Sequence, residues 1–121
     1  MRVFSGAATG SLGADEQGIT LRADDGRVRT IPWGGIERIA GMRAVGFVGD
    51  TLMLVVQAEG RAQTLTDTLR GFHDAAAALS QCLPGAVDYR AWTAALTAQS
   101  PGVSITIYEA PQEQAWPSGA R

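Results

Sequence analysis

The spacing of apolar residues changes along this chain from the two-residue period of strands to the period of a helix, and it returns to the strand period at residues 103–108. Up to residue 67, short runs rich in Val, Ile, Leu and Thr are separated by glycines, which is typical of strands joined by turns. Residues 68–99 are instead rich in Ala and Leu at helical spacing. Strands followed by helices are the order of an α+β domain, so we predict an antiparallel strand meander closed by a helix.

Two hairpins are predicted in the strand region. The first pairs residues 19–23 with 27–31 around Asp24-Asp25-Gly26, because an Asp-Gly pair between two alternating runs favours a tight turn. The second pairs residues 51–58 with 61–66 around Glu59-Gly60. Alternation in the first hairpin predicts a buried face formed by Ile19, Leu21, Val28 and Ile31. It predicts that three arginines point to water: Arg22, Arg27 and Arg29.

Between the hairpins, Pro32 should end a strand, because proline has no N–H to donate to a ladder. Trp33-Gly34-Gly35 then turns the chain, and a further strand begins at Ile36. The loop after that strand is predicted to contain Gly46, Gly49 and Asp50. Val3-Phe4 and Leu12 are candidates for a first strand or two.

The closing helix is the clearest predicted element. Five apolar residues follow the three- and four-residue spacing of one helix face: Leu69, Phe72, Ala76, Leu79 and Leu83. The preceding Thr66, Asp67 and Thr68 offer side-chain oxygens for an N-cap, and Pro84-Gly85 ends the helix.

A helix and a strand are predicted after this helix. Asp88 should cap a helix that ends at about Ala98 and has Tyr89, Trp92 and Leu96 on one face. Residues 103–108 alternate as a strand, with Val103, Ile105 and Ile107 on its apolar face. We expect this segment to be integral to the fold. Its strand would pair either with an edge of the chain's own sheet, which we favour, or with a second copy.

Composition limits the function classes. The formal charge of the 121-residue chain is −2, which does not suit non-specific binding of nucleic acid. Cys82 is the only cysteine, so an intrachain disulfide is excluded. No apolar run reaches the roughly 18 residues of a membrane span, and the first residues do not form a signal peptide, so we expect a cytoplasmic protein.

The order of these elements resembles the pleckstrin-homology-like domain. The residues that carry the resemblance are Gly18-Ile19-Thr20-Leu21, Asp25-Gly26 and the run from Ile31-Pro32-Trp33 to Ile39, which looks like the strand corner of bacterial members. The resemblance covers residues 10–84 and implies a barrel closed by a helix. We predict one domain over 1–109, with a helix-and-strand extension at 88–108 that lies beyond the resemblance, followed by a flexible tail, 110–121. Such domains bind proteins, peptides or lipid headgroups, and most do no chemistry.

Few residues suggest chemistry. His73 and Asp74 are neighbours on a helix and point about 100° apart, and Cys82 has no second histidine to activate it. One His and one Cys do not make a zinc site. We therefore predict no catalytic residue, no metal and no cofactor. The candidate binding residues are Arg22, Arg27, Arg29, Trp33 and Trp116.

The predicted function is a non-catalytic protein-interaction module with an immunity-like or regulatory role. The partner protein is not identified by the sequence, and a homo-oligomer could form through an edge strand. The alternative is a domain that binds anionic lipid or a phosphate headgroup through Arg22, Arg27 and Arg29. Asp24 and Asp25 weigh against it, because their carboxylates lie between those arginines in the sequence.

Overall fold

The computed structural model describes residues 10–46 and 49–111. This part of the chain is an α+β fold, as predicted, and it contains two antiparallel sheets and two helices. The predicted strands at Val3-Phe4 and the predicted tail beyond residue 111 lie outside the described residues.

The first sheet has three strands in the order β1-β2-β3. They are β1 (Ser11–Ala14), β2 (Gly18–Arg22) and β3 (Val28–Pro32). The β2–β3 hairpin turns at Asp24-Asp25-Gly26, as the sequence predicted, and Leu21 lies opposite Arg29 in its register. A short 3-10 turn, Trp33–Gly35, follows Pro32 and directs the chain into the second sheet.

The second sheet has four strands in the order β6-β5-β4-β7. They are β4 (Ile36–Gly46), β5 (Gly49–Ala58), β6 (Arg61–Thr66) and β7 (Ser104–Glu109). The strand β7 pairs with β4 of the same chain, which is the first of the two pairings expected for the C-terminal segment.

Two helices cover the inner faces of the sheets: α1 (Phe72–Cys82) and α2 (Tyr89–Ala98). The predicted stripe from Leu69 to Leu83 is buried along its whole length. The side chain of Asp88 accepts a hydrogen bond from the Arg90 N–H, which confirms the predicted cap of α2. Trp92 and Leu96 are each 1% exposed and join a core that both sheets and both helices share.

Several details of the predicted elements are wrong. The N-cap of α1 is Gly71, whose φ of 80° suits glycine, while the Asp67 carboxylate accepts a hydrogen bond from the Leu52 N–H. The strands β4 and β5 extend into the predicted loop as far as Gly46 and Gly49, which lie opposite each other. Val28 and Val103 are exposed, not buried.

The two sheets are not joined into a closed barrel. No strand ladder links the three-stranded sheet to the four-stranded one within residues 10–46 and 49–111. The chain passes from the first sheet to the second at the Trp33–Gly35 turn, and the inner faces of both sheets share one core. No helix in this part of the chain is long and apolar enough to cross a membrane.

Candidate interaction surface

The three arginines of the first hairpin do not form one cluster. Arg22 lies on the outward face of β2, opposite Val28. The prediction that Arg29 points to water is wrong: it lies on the inner face with Ile31, because residues two apart on a strand share a face. Arg27 lies in the turn, where its Nε donates to the Asp25 carboxylate at 3.0 Å. The hairpin therefore directs its three guanidinium groups to three different places.

The turn of this hairpin holds the Asp25 carboxylate beside the Arg27 guanidinium. The Arg27 backbone N–H donates to Asp25 at 3.0 Å and, together with the Arg27 guanidinium, lowers the pKa of that carboxyl from its ordinary value. Asp25 therefore stays ionised beside Arg27. An anionic ligand that approached Arg27 would meet the negative charge of this carboxylate beside the guanidinium.

The inward placement of Arg29 connects the two sheets. Its Nη1 donates to Gln63 Oε1 of β6 at 3.0 Å, across 34 residues of sequence. The edge strand of the first sheet and the edge strand of the second are therefore neighbours. Side chains, not a backbone ladder, connect them.

Both of these edges carry backbone groups that no strand in the described part of the chain pairs. The Ala23 N–H donates to the Arg27 carbonyl, and the Trp33 N–H donates to the Gln17 carbonyl. Because hydrogen-bonded pairs alternate along an antiparallel ladder, the odd-numbered residues of β3 direct their backbone N–H and C=O groups toward β2. Val28 and Thr30 consequently turn their N–H and C=O groups to the opposite side. On β6, the same alternation turns those of Ala62 and Thr64 away from β5. We call the region between these four residues the β3–β6 gap.

The other two edge strands carry backbone hydrogen bonds to segments outside the sheets. On β1, the Leu12 N–H donates to the Arg70 carbonyl at 2.7 Å, and the Arg70 N–H donates to the Gly10 carbonyl. On β7, the Ile107 carbonyl accepts a hydrogen bond from the Val87 N–H at 2.8 Å. Segments next to α1 and α2 thus donate or accept hydrogen bonds at these edges, whereas no such backbone hydrogen bond is found at the β3–β6 gap among the described residues.

Of the two tryptophans predicted to bind, Trp33 has an internal role. Its indole N–H donates to the Asp15 carbonyl at 2.6 Å, and its half-buried ring packs against the core. This contact fixes the turn between β1 and β2 to the corner after β3. Trp116 lies outside the described residues.

The residues considered for chemistry are separated along α1. His73 Nδ1 is 2.8 Å from the Tyr89 hydroxyl and lies in the first turn of the helix. Cys82 is the last residue of the same helix, about 13 Å further along its axis. The two side chains therefore cannot form a nucleophile–base pair. No group of three or more metal-binding side chains occurs among the residues described.

An open cleft of about 290 Å³ lies on the outward face of the first sheet. Its polar lining comes from Ser11, Asp15, Thr20 and Arg22. The Asp15 carboxylate already accepts hydrogen bonds from the N–H groups of Gln17 and Gly18. It therefore serves the local turn, and Arg22 is the one cation that lines the cleft.

The outward face of the second sheet is apolar at its centre. Met42 lies opposite Met53, and Ala40 opposite Val55, in the register of β4 and β5. With Ala44 these residues form a patch that we call the methionine face. The flanking positions on β6 and β7 are small and polar: Thr64, Thr66, Ser104 and Thr106.

Sequence reasoning did not identify either the β3–β6 gap or the methionine face. The run Leu52-Met53-Leu54-Val55-Val56 lies within the predicted strand 51–58, and its Leu54 and Val56 are buried. A strand with apolar residues at successive positions is apolar on both faces, however, so this run was also the signal for a second apolar surface.

Comparison of the chain with protein-family models, curated proteins and solved structures finds no match.

Proposed function

We propose that this protein is a non-catalytic protein-interaction module that binds an extended segment of a partner by strand addition in the β3–β6 gap. The observation that carries the proposal is the pair of neighbouring strand edges whose backbone groups no described strand pairs. An unpaired edge is a template for a further strand, because main-chain hydrogen bonds provide affinity without requiring a particular sequence.

Side chains at the gap indicate which segments would fit. Val28 is 50% exposed on the outward side of β3, so a partner strand gains apolar contact by placing a β-branched or aromatic residue opposite it. Thr30, two residues further on, continues the same face and tolerates a polar or β-branched neighbour. The expected partner segment alternates apolar and polar residues and contains no proline at its pairing positions.

A non-catalytic role is supported by the separation of His73 from Cys82 on α1. We also propose that the fold is a pleckstrin-homology-like one that is left open at the β3–β6 gap. The supporting feature is the order of elements, two hairpin-rich sheets followed by the amphipathic helix α1. A cytoplasmic location and a regulatory or immunity-like role are parts of the same proposal.

Binding of lipid headgroups is not favoured by the arrangement of the arginines. Arg22, Arg27 and Arg29 point to different places, and Arg27 is already paired with a carboxylate. Vesicles of phosphatidylserine provide the direct measurement. We expect no salt-dependent sedimentation of the protein with them.

Peptide display tests the strand-addition proposal. The parent protein serves as bait for a library of random peptides, and we expect enrichment of alternating, β-branched sequences. Thr30→Pro removes one outward N–H from β3 without removing a donor to β2, so it should weaken binding of the selected peptides at least tenfold.

Two exposed valines give a matched pair for the same experiment. Val28 lies at the gap, whereas Val45 is 60% exposed near the distal end of the β4–β5 hairpin. Val28→Asp should abolish binding, and Val45→Asp should leave it unchanged. Peptides that bind Thr30→Pro and Val28→Asp as tightly as the parent would show that the β3 edge is not the binding site.

A further inference from the structure

The methionine face has no cover within the described part of the chain. Both helices lie on the opposite side of the four-stranded sheet. On that side, a side chain at Gly41 would meet Ile107, Trp92 and Leu96. Met42 and Met53 therefore point away from the core, and each is half-buried only by its neighbours on the sheet.

The size of the methionine face argues against a second copy of the chain as its cover. Its residues extend over four residue steps on two neighbouring strands, about 13 Å by about 5 Å between backbones. A stable dimer buries about 800 Å² on each partner, which this patch cannot supply. A single aromatic side chain buries about 150–250 Å², which matches a patch of this size.

The chain itself contains an aromatic residue at a suitable distance. The Ala110 N–H donates to the Glu37 carbonyl, so the chain leaves the sheet beside the first residues of β4. Trp116 follows Pro111 by five residues, which span at most about 17 Å. Met42 follows Glu37 by five residues along β4, which is also about 17 Å.

The charges and the methionine sulfurs on this face also suit the C-terminal residues. Arg38 lies on the same face as Met42 and is half-buried, and its Nη2 donates to the Thr106 hydroxyl. Glu113 lies three residues before Trp116 in the sequence, so the carboxylate and the indole are spaced much as Arg38 and Met42 are. Thioether sulfurs make favourable contacts with aromatic rings, and the methionine face presents two of them side by side.

We propose that the C-terminal segment, residues 112–121, docks on the methionine face with Trp116 over Met42 and Met53 and Glu113 beside Arg38. This surface is separate from the β3–β6 gap, so the inference goes beyond the proposed function and stands without it. The segment is an intramolecular cover. Any partner that uses the methionine face must displace it.

Methionine methyl signals test the docking directly, because the chain contains three methionines: Met1, Met42 and Met53. The full-length protein is labelled with ¹³C at the methionine methyl groups, and the signals are assigned with Met42→Leu and Met53→Leu. In the parent, the indole ring current should displace the Met42 and Met53 signals upfield. Trp116→Leu should remove that displacement and leave the Met1 signal unchanged.

Two further measurements identify the occupant. Phe4→Leu, the matched aromatic change near the other terminus, should move neither signal. Arg38→Leu should reduce the upfield displacement, because it removes the partner of Glu113. Unchanged Met42 and Met53 signals in Trp116→Leu would overturn the proposal. Signals that move with Phe4→Leu instead, or with protein concentration, would also overturn it, since the occupant would then be the N-terminal segment or a second copy.

The outcome is independent of the strand-addition proposal. Peptides selected on the parent should bind Trp116→Leu with unchanged affinity. Loss of the methyl shifts without loss of peptide binding supports both proposals, and failure of one leaves the other standing.

Discussion

The α2–β7 side of the molecule and the β3–β6 gap are held together by different kinds of contact. On the α2–β7 side, Trp92 and Leu96 are almost fully buried against β4 and β7, with Gly41 leaving room for both. At the gap, the hydrogen bond between Arg29 and Gln63 links the two edges by side chains. Buried apolar side chains hold the α2–β7 side together, whereas a part-buried polar contact links the two strands of the β3–β6 gap.

This difference separates stability from binding. Burial of apolar area is the main favourable term in folding, so the α2–β7 side should contribute most to the free energy of unfolding. A part-buried polar contact contributes little, because it replaces hydrogen bonds to water. The gap can therefore change its hydrogen-bond partners at small cost, as a binding edge requires.

Trp92→Ala should have the largest effect, because it leaves a cavity between α2 and the sheet. We expect a loss of about 3–5 kcal/mol in the free energy of unfolding, measured by urea denaturation. Trp33→Ala is the matched control, and its half-buried ring should cost less. If the two losses were equal, the α2–β7 side would not dominate the stability.

A replacement at the same position refines this test. The Trp92 indole N–H is buried without a hydrogen-bond partner among the described residues, whereas that of Trp33 is bonded to the Asp15 carbonyl. Trp92→Phe removes an unsatisfied donor, so part of its cavity cost is offset. Trp33→Phe has no such compensation.

Arg43→Met should have an intermediate effect. The Arg43 guanidinium is bound to the end of α2 through the Gln99 carbonyl at 2.6 Å and the Leu96 carbonyl at 3.2 Å, and it pairs with Asp50 at 2.8 Å. Its removal leaves these carbonyls without the charged donor, and we expect a loss of about 1–3 kcal/mol in urea denaturation. Arg38→Met, which removes one hydrogen bond to Thr106, should cost less.

Gln63→Ala should have the smallest effect of the three. It removes the acceptor that links β6 to Arg29, at a part-buried position. We expect less than about 1 kcal/mol in urea denaturation, similar to Gln57→Ala at an exposed position of β5. A loss comparable to that of Arg43→Met would show that the gap is a structural joint and would weaken its assignment as a binding edge.

Elements with a local cause were predictable from the sequence. The hairpins around Asp24-Asp25-Gly26 and Glu59-Gly60 follow from turn residues between alternating runs. The stripe of α1 follows from helical spacing, and the cap of α2 from the Asp88 side chain. In each case the residues that determine the element are within a few positions of one another.

Which face of a strand is buried, and where its register is irregular, could be determined only from the folded structure. Val28 and Ile31 are three residues apart, so a regular strand cannot bury both, and the sheet buries Ile31 and turns Arg29 inward. An irregularity in the β4–β7 register, where Ile39 and Ala40 lie opposite Tyr108 and Thr106, leaves Ile107 without a residue opposite it on β4 and brings Tyr108 against the core. The sequence of residues 103–108 is consistent with regular alternation and gives no sign of this irregularity.

The sequence by itself determined the class of the fold, its hairpin turns and the buried faces of both helices, because propensity and periodicity act over a few residues. Only the tertiary structure decided that β7 joins β4, that β3 and β6 are neighbours without a ladder, and that Met42 lies beside Met53 on an outward face. Those features depend on which distant strands meet, and the free energy that selects the pairing comes from the packing of the whole core.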